Sequence, residues 1–94
     1  MNETDKHLCQ IFDKILAGND PELRDMVITY IALVDFVPAV DILLEYLSSE
    51  TLAWLQNYAM QVVEHLEKLR KGIPSKPPIV SDQEITSVGI KRRS

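Results

Sequence analysis

Asp20-Pro21-Glu22-Leu23-Arg24-Asp25-Met26-Val27-Ile28-Thr29-Tyr30-Ile31-Ala32-Leu33-Val34-Asp35-Phe36-Val37-Pro38 is the stretch on which the fold turns. It opens with an acid able to cap, a proline suited to the first helical position and a second acid in the first turn, which together mark a helix start. Plotted at 100° per residue, Leu23, Met26, Val27, Tyr30, Ile31, Leu33 and Val34 cover well over half of the cylinder. Only Glu22, Asp25 and Thr29 remain as a narrow wet edge, so this helix is expected to be largely buried. Pro38 disfavours helical backbone at Val37 and suits the first turn of a new helix, so Asp35-Phe36-Val37-Pro38 reads as a break.

Upstream, Leu8, Ile11, Phe12, Ile15 and Leu16 recur at helical spacing, with Lys6, Gln10, Asp13 and Lys14 opposite. They predict an amphipathic helix over about Thr4 to Ala17, ended by Gly18 in the left-handed conformation. Downstream, a third helix is expected from about Pro38 to Leu47, with a polar edge of Asp41 and Glu45 alone, and so sandwiched. Ser48-Ser49-Glu50-Thr51 is rich in capping side chains, and Leu52 to Lys71 reads as the longest helix, its inner arc formed by Leu55, Tyr58, Ala59, Val62, Leu66 and Leu69. Lys68, Arg70 and Lys71 suit its C-terminal dipole, and Gly72 stops it. Pro74, Pro77 and Pro78 then rule out another helix and predict an extended linker. Beyond them, residues 79–90 alternate as a strand or a disordered arm. The expected fold is therefore all-α, with four antiparallel helices as two stacked hairpins over residues 1–72 and a proline-containing, extended or disordered tail over 73–94.

Composition agrees with a globular chain: 46% of the 94 residues are hydrophobic and 26% charged, far from the signature of disorder. One domain is all that this length accommodates. The single cysteine, Cys9, forms no internal disulfide, which fits a reducing, cytoplasmic setting. No signal or transit peptide is visible at the N-terminus, and Met26 to Val34 is too short an apolar run to cross a bilayer, which takes about 20 residues. The net charge of −4 is unevenly placed. From Ile15 to Glu67 there are nine acids, with Arg24 as the sole lysine or arginine, whereas Lys76, Lys91, Arg92 and Arg93 make the tail net positive. An acidic body repels phosphate backbones and attracts basic protein surfaces, so no nucleic acid and no membrane is expected as a partner.

A shift of 32 places superposes Leu8 on Val40, Ile11 on Leu43, Phe12 on Leu44, Asp13 on Glu45, Ile15 on Leu47, Leu23 on Leu55 and Asp25 on Asn57. Such a period, here over about 7–35 and 39–67, is what stacked helical hairpins produce. Asp20-Pro21-Glu22-Leu23-Arg24-Asp25, then Val37-Pro38-Ala39-Val40-Asp41-Ile42-Leu43-Leu44-Glu45-Tyr46-Leu47, then Leu55-Gln56 with Ala59, resembles HEAT-like repeats of the short, phycobilisome-lyase type over roughly residues 8–69. In that family an acid-proline turn leads into an apolar-arginine pair, and Leu23-Arg24 looks like that pair. The second copy departs, with Gln56 in place of arginine, and the glycine common after the first helix is absent at Asp35 and Phe36. The resemblance implies a protein-binding scaffold, with pigment-lyase activity a minority outcome. The ends of so short a stack need covering by the tail, a second copy or a partner.

Candidate chemistry is sparse. His7 and Cys9 lie near one another, His65 is remote, and neither a CxxC pair nor an HExxH helix is present, so no metal is expected. Nucleophilic catalysis by Cys9 lacks any local signature of a base or an oxyanion hole. Glycine occurs only at 18, 72 and 89, which leaves no phosphate-cradling loop, and Asp41 with Glu45 reads as a solvated edge rather than an acid-base pair. No cofactor and no enzymatic activity are expected.

Two surfaces remain. Trp54, Tyr58, Gln61 and His65, spaced 4, 3 and 4 apart on the last helix, either centre an interface or complete the core. Asp20, Glu22, Asp25, Asp35 and Glu50 lie in or near turns, where they either bind a basic partner or simply confer solubility. The tail likewise reads as a docking segment or a disordered terminus. The function expected is that of a small acidic protein-binding module, an adaptor or an inhibitor of the immunity-protein or antitoxin kind, engaging a basic protein surface. A structural subunit or homodimer is the alternative, and an enzyme or lyase-like small-molecule binder stands behind both.

Overall fold

In the computed structural model the described residues are 2–78, and they contain four α-helices and no strand. Helix α1 spans Glu3–Leu16, α2 Pro21–Leu33, α3 Val40–Leu47 and α4 Ala53–Arg70, with a 3-10 turn at Val37–Ala39 leading into α3. The all-α expectation holds, and each helix lies within a few residues of its predicted range. The calls on residues 79–94, the alternating Ile79 to Ile90 and the basic Lys91-Arg92-Arg93, lie outside the described residues.

The helix starts follow from local chemistry. Asn2 Oδ1 accepts from the Asp5 N–H at 2.7 Å and caps α1, and Asp20 Oδ1 accepts from the Glu22 N–H at 3.0 Å and caps α2 just before Pro21. The Ser48–Thr51 segment departs from expectation. Ser48 and Ser49 turn their hydroxyls back to the Glu45 and Tyr46 carbonyls at the end of α3. The cap residue of α4 is Leu52, whose N–H donates to the Glu50 carboxylate at 2.9 Å.

Helices α2 and α4 end in the same way. After α2, the Asp35 N–H donates to the Ala32 carbonyl and the Phe36 N–H to the Ile31 carbonyl. After α4, the Gly72 N–H donates to Leu69 and the Ile73 N–H to Lys68. These paired bonds make a Schellman motif, which demands a left-handed residue: Gly72 has φ 81° and Asp35 has φ 54°. Gly72 thus stops α4 as expected, and an aspartate does the same for α2. Gly18 has no positive φ, and α1 ends without a left-handed residue. The Ala17 N–H donates to Asp13 and the Gly18 N–H to Ile15 instead.

Helix α1 packs on α2 and α3 on α4, and contacts of α2 with α4 and of α1 with α3 join them around one core. Its centre is Ile28, Ile31, Val40, Leu43, Leu55, Val62 and Leu66, all fully buried. Each contributes about 1.5–3 kcal/mol by leaving water. Phe12 fills the side of α1, tilted against Tyr30 with ring centroids 5.7 Å apart and edge-on to Phe36 at 5.8 Å.

Burial does not follow the 32-residue register. Ile11 is exposed where Leu43 is buried, Phe12 is buried where Leu44 is exposed, and Leu23 is exposed where Leu55 is buried. Val27 and Tyr58, Ile28 and Ala59, Ile31 and Val62, and Ala32 and Val63 are each 31 positions apart, and all eight are buried. The exposure of Leu44 also leaves α3 covered on one side only.

Candidate functional site

Helix α2 is apolar on both faces, and only one face is covered. Val27, Ile28, Ile31 and Ala32 enter the core. On the opposite side Leu23, Met26, Tyr30, Leu33 and Val34 are between 45% and 64% exposed. The expectation of a largely buried helix is therefore corrected: α1 and α4 pack against the core-facing half, leaving a stripe about 16 Å long at 1.5 Å per residue. This apolar stripe is a candidate interaction surface.

The polar residues singled out in the sequence separate into two groups. Glu50 is buried. Its carboxylate accepts from Arg24 Nε at 2.9 Å and Nη2 at 3.3 Å, from the Leu52 N–H, and from the Tyr46 hydroxyl. Arg24 Nη1 donates to the Gly18 carbonyl at 2.7 Å, so one guanidinium ties the α1–α2 turn to the α3–α4 turn. Burial alone would push the Glu50 carboxyl up; the Tyr46 hydroxyl, the Leu52 N–H and Arg24 together hold it below its ordinary value. Burial and the Glu50 charge push the Tyr46 hydroxyl far up. A cleft of about 350 Å³ opens above this cluster, edged by Gly18, Asn19, Ser49 and Thr51. Arg24 and Glu50 satisfy each other at its floor.

Tyr58 and His65 also point inward, apart from Trp54 and Gln61, which are exposed. The Tyr58 hydroxyl meets Thr29 Oγ1 at 2.7 Å, and Thr29 in turn bonds the Asp25 carboxylate. Desolvation raises both ends of this chain, the Asp25 carboxyl and the Tyr58 hydroxyl, with Thr29 opposing the rise in each. His65 lies between Asp35 Oδ1, 2.8 Å from Nε2, and Ser75 Oγ, 2.8 Å from Nδ1. The ring therefore pins the end of α2 and the segment after α4. An acid, an imidazole and a hydroxyl in series also compose a proton relay, but the ring side chain is only 2% exposed and both nitrogens are occupied.

Asp20 and Glu22 remain on the surface at the start of α2, as do Asp41 and Glu45 on α3 and Glu64 on α4. Among the described residues none of these five is in an ion pair. No group of three or more histidine, cysteine, aspartate or glutamate side chains there could hold a metal ion. No described helix is long and apolar enough to cross a membrane. Burial raises the Cys9 thiol, helped by Asp5, which lowers its thiolate fraction and thus its reactivity.

Sequence reasoning named Arg24, Tyr46 and Glu50 for other reasons and missed their convergence. The available signal was a lone arginine within a long acidic stretch, which calls for a buried carboxylate partner. Comparison of the chain with protein-family models, with curated proteins and with solved structures returned no match.

Proposed function

We propose that this chain is a small acidic protein-binding module, an adaptor or inhibitor, that engages a basic surface of a protein partner. One observation carries the reading: Arg24, the sole lysine or arginine between Ile15 and Glu67, turns inward onto Glu50. The start of α2 and the outer surfaces of α3 and of most of α4 are left with acids and no compensating lysine or arginine. A surface of one sign raises the local concentration of oppositely charged partners and steers their approach. The reading includes a HEAT-like scaffold and a cytoplasmic setting, the latter supported by the single cysteine. Binding rather than catalysis is supported by the mutual satisfaction of Arg24 with Glu50 and of His65 with its two neighbours.

The test is charge reversal at acids free of structural bonds. Glu22→Lys, Asp41→Lys and Glu45→Lys, combined, leave the caps and buried pairs intact. Against a partner captured by cross-linking in the native cell, the expected result is about tenfold weaker binding and a shallower dependence on salt. Unchanged affinity and salt dependence would exclude the acidic surface.

A second reading, a subunit that associates with its own copies, is favoured by the uncovered stripe on α2.

A further inference from the structure

The described chain ends beside one end of the uncovered stripe on α2. His65 Nδ1 lies 2.8 Å from Ser75 Oγ and its Nε2 2.8 Å from Asp35 Oδ1. One imidazole ring therefore separates Ser75 from the residue that closes α2. Ser75, Pro77 and Pro78 are half-buried, so the chain stays against the domain as far as residue 78. Its remaining residues set out from the C-terminal end of α2. We infer that they run back along the outer face of that helix towards its start. Ile79, Val80, Ile85, Val88 and Ile90 then meet the exposed apolar side chains of α2, and Lys91-Arg92-Arg93 meets Glu22 and Asp20.

Length and charge select this occupant. From Asp35 back to Asp20 is about 22 Å at 1.5 Å per residue. Lys91 follows Ser75 by 16 positions, and a free chain of that length averages ~20–24 Å end to end. The basic triplet is thus delivered to the level of Glu22. A tether whose length matches its span gives an effective concentration of about 1 mM, so a contact too weak to hold a separate peptide is already half-formed. The order of charges fits one direction only. Thr29 meets Tyr58 as Asp35 meets His65, so α2 and α4 run parallel. Together they begin on Asp20 and Glu22 and end on Lys68 and Lys71, whereas the tail carries Asp82 and Glu84 first and its basic triplet last. Laid antiparallel to the helices, it sets each charge beside its opposite. A second copy of a chain with net charge −4 brings acids to acids at the same place.

The inference needs no outside partner, because both contacting groups belong to this chain. It leaves the acids of α3 and α4 as the surface open to a basic protein.

Zero-length carbodiimide coupling of the full chain at about 10 μM tests it, with the products mapped by mass spectrometry. The expected result is a single-chain product in which Lys91 is joined to Glu22 or Asp20, at a yield that dilution does not change. Arg92→Glu with Arg93→Glu, which keeps Lys91 as the reporter, should lower that yield by about threefold or more, as should 1 M salt, where the screening length is ~3 Å. Met26→Ser with Leu33→Ser alters two side chains that are 64% and 59% exposed. This pair is also expected to lower the yield about threefold, with an unchanged helical circular dichroism spectrum. Coupling of Lys91 to Asp41 and Glu45 as often as to Glu22 and Asp20 overturns the proposal. So does coupling found only between isotopically light and heavy chains, which would mark a second copy, or a yield that either pair of substitutions leaves undiminished.

Discussion

Arg24 Nε lies 2.9 Å from Glu50 Oε1, and the two side chains, 12% and 1% exposed, bridge turns that are 26 residues apart in sequence. Removing one member of so enclosed a pair strands the other charge in a poorly solvated site, which costs more than the pair itself contributes. Arg24→Met is therefore expected to destabilise the chain by about 3 kcal/mol. Arg24→Met with Glu50→Leu should cost less than the sum of the two single changes. Urea denaturation of the four proteins of this cycle measures the difference.

The same carboxylate sets the acid limit of the fold. Its folded pKa lies below the ordinary 4.5, so its contribution is fully present above that value and is lost as pH falls through the lower, folded one. Asp25 has the opposite sign. Burial raises its pKa, Thr29 opposing, so its protonation favours the folded state as pH falls through the raised value. Stability is expected to hold or rise slightly on mild acidification and then to drop. Thermal melts across the range from neutral to strongly acidic pH check this: Asp25→Asn should remove the first feature and Glu50→Gln should blunt the second.

Helix placement was legible because capping and breaking are local. Asp20-Pro21 and Gly72 each declare an end of a helix without reference to anything distant. The faces were not legible, because an α2 apolar all round gives no sign of which half meets the core; that is decided by where α1 and α4 happen to pack. Burial departs from the 32-residue register at Ile11, Phe12 and Leu23 for a related reason, since matching apolar letters align helices without specifying their rotation. Tyr58, His65 and Glu50 looked like surface candidates because their partners Thr29, Asp35 and Arg24 are 26 to 30 positions away. Trp54, which the sequence left between an interface and the core, is exposed, and Glu22 and Asp20 lie on the surface near their turn.

Asp35 does two things at once, and substitutions separate them. It occupies the left-handed position that ends α2, and its carboxylate accepts from His65 Nε2. Asp35→Asn keeps a side chain tolerated at positive φ together with a carbonyl acceptor, so stability should stay within about 1 kcal/mol. Asp35→Gly relieves the backbone and leaves a buried ring N–H without an acceptor, a net loss of about 1 kcal/mol. Asp35→Ala loses on both counts, about 2–3 kcal/mol. Ser75→Ala leaves the buried His65 Nδ1 without its hydroxyl partner and is likewise expected to cost about 1 kcal/mol, read by urea denaturation.

The two sides of α4 should respond in opposite ways to truncation. Leu55 is fully buried, and Leu55→Ala leaves a cavity in the core that rigid surroundings fill poorly, at a cost of about 2–5 kcal/mol. Tyr58→Phe keeps the packing and removes the bond to Thr29, so it should cost about 1 kcal/mol. Trp54, one turn before Tyr58 and more than half exposed, contributes little to the fold, and Trp54→Ala is expected to shift stability by less than about 0.5 kcal/mol. As the only tryptophan, it is also a native fluorescent reporter on the outer side of α4. Binding of a partner across that surface would shift its emission to shorter wavelength, whereas pairing through α2 alone would leave the spectrum as in the single chain. Fluorescence titration against dilution and against partner therefore assigns each association to its own face.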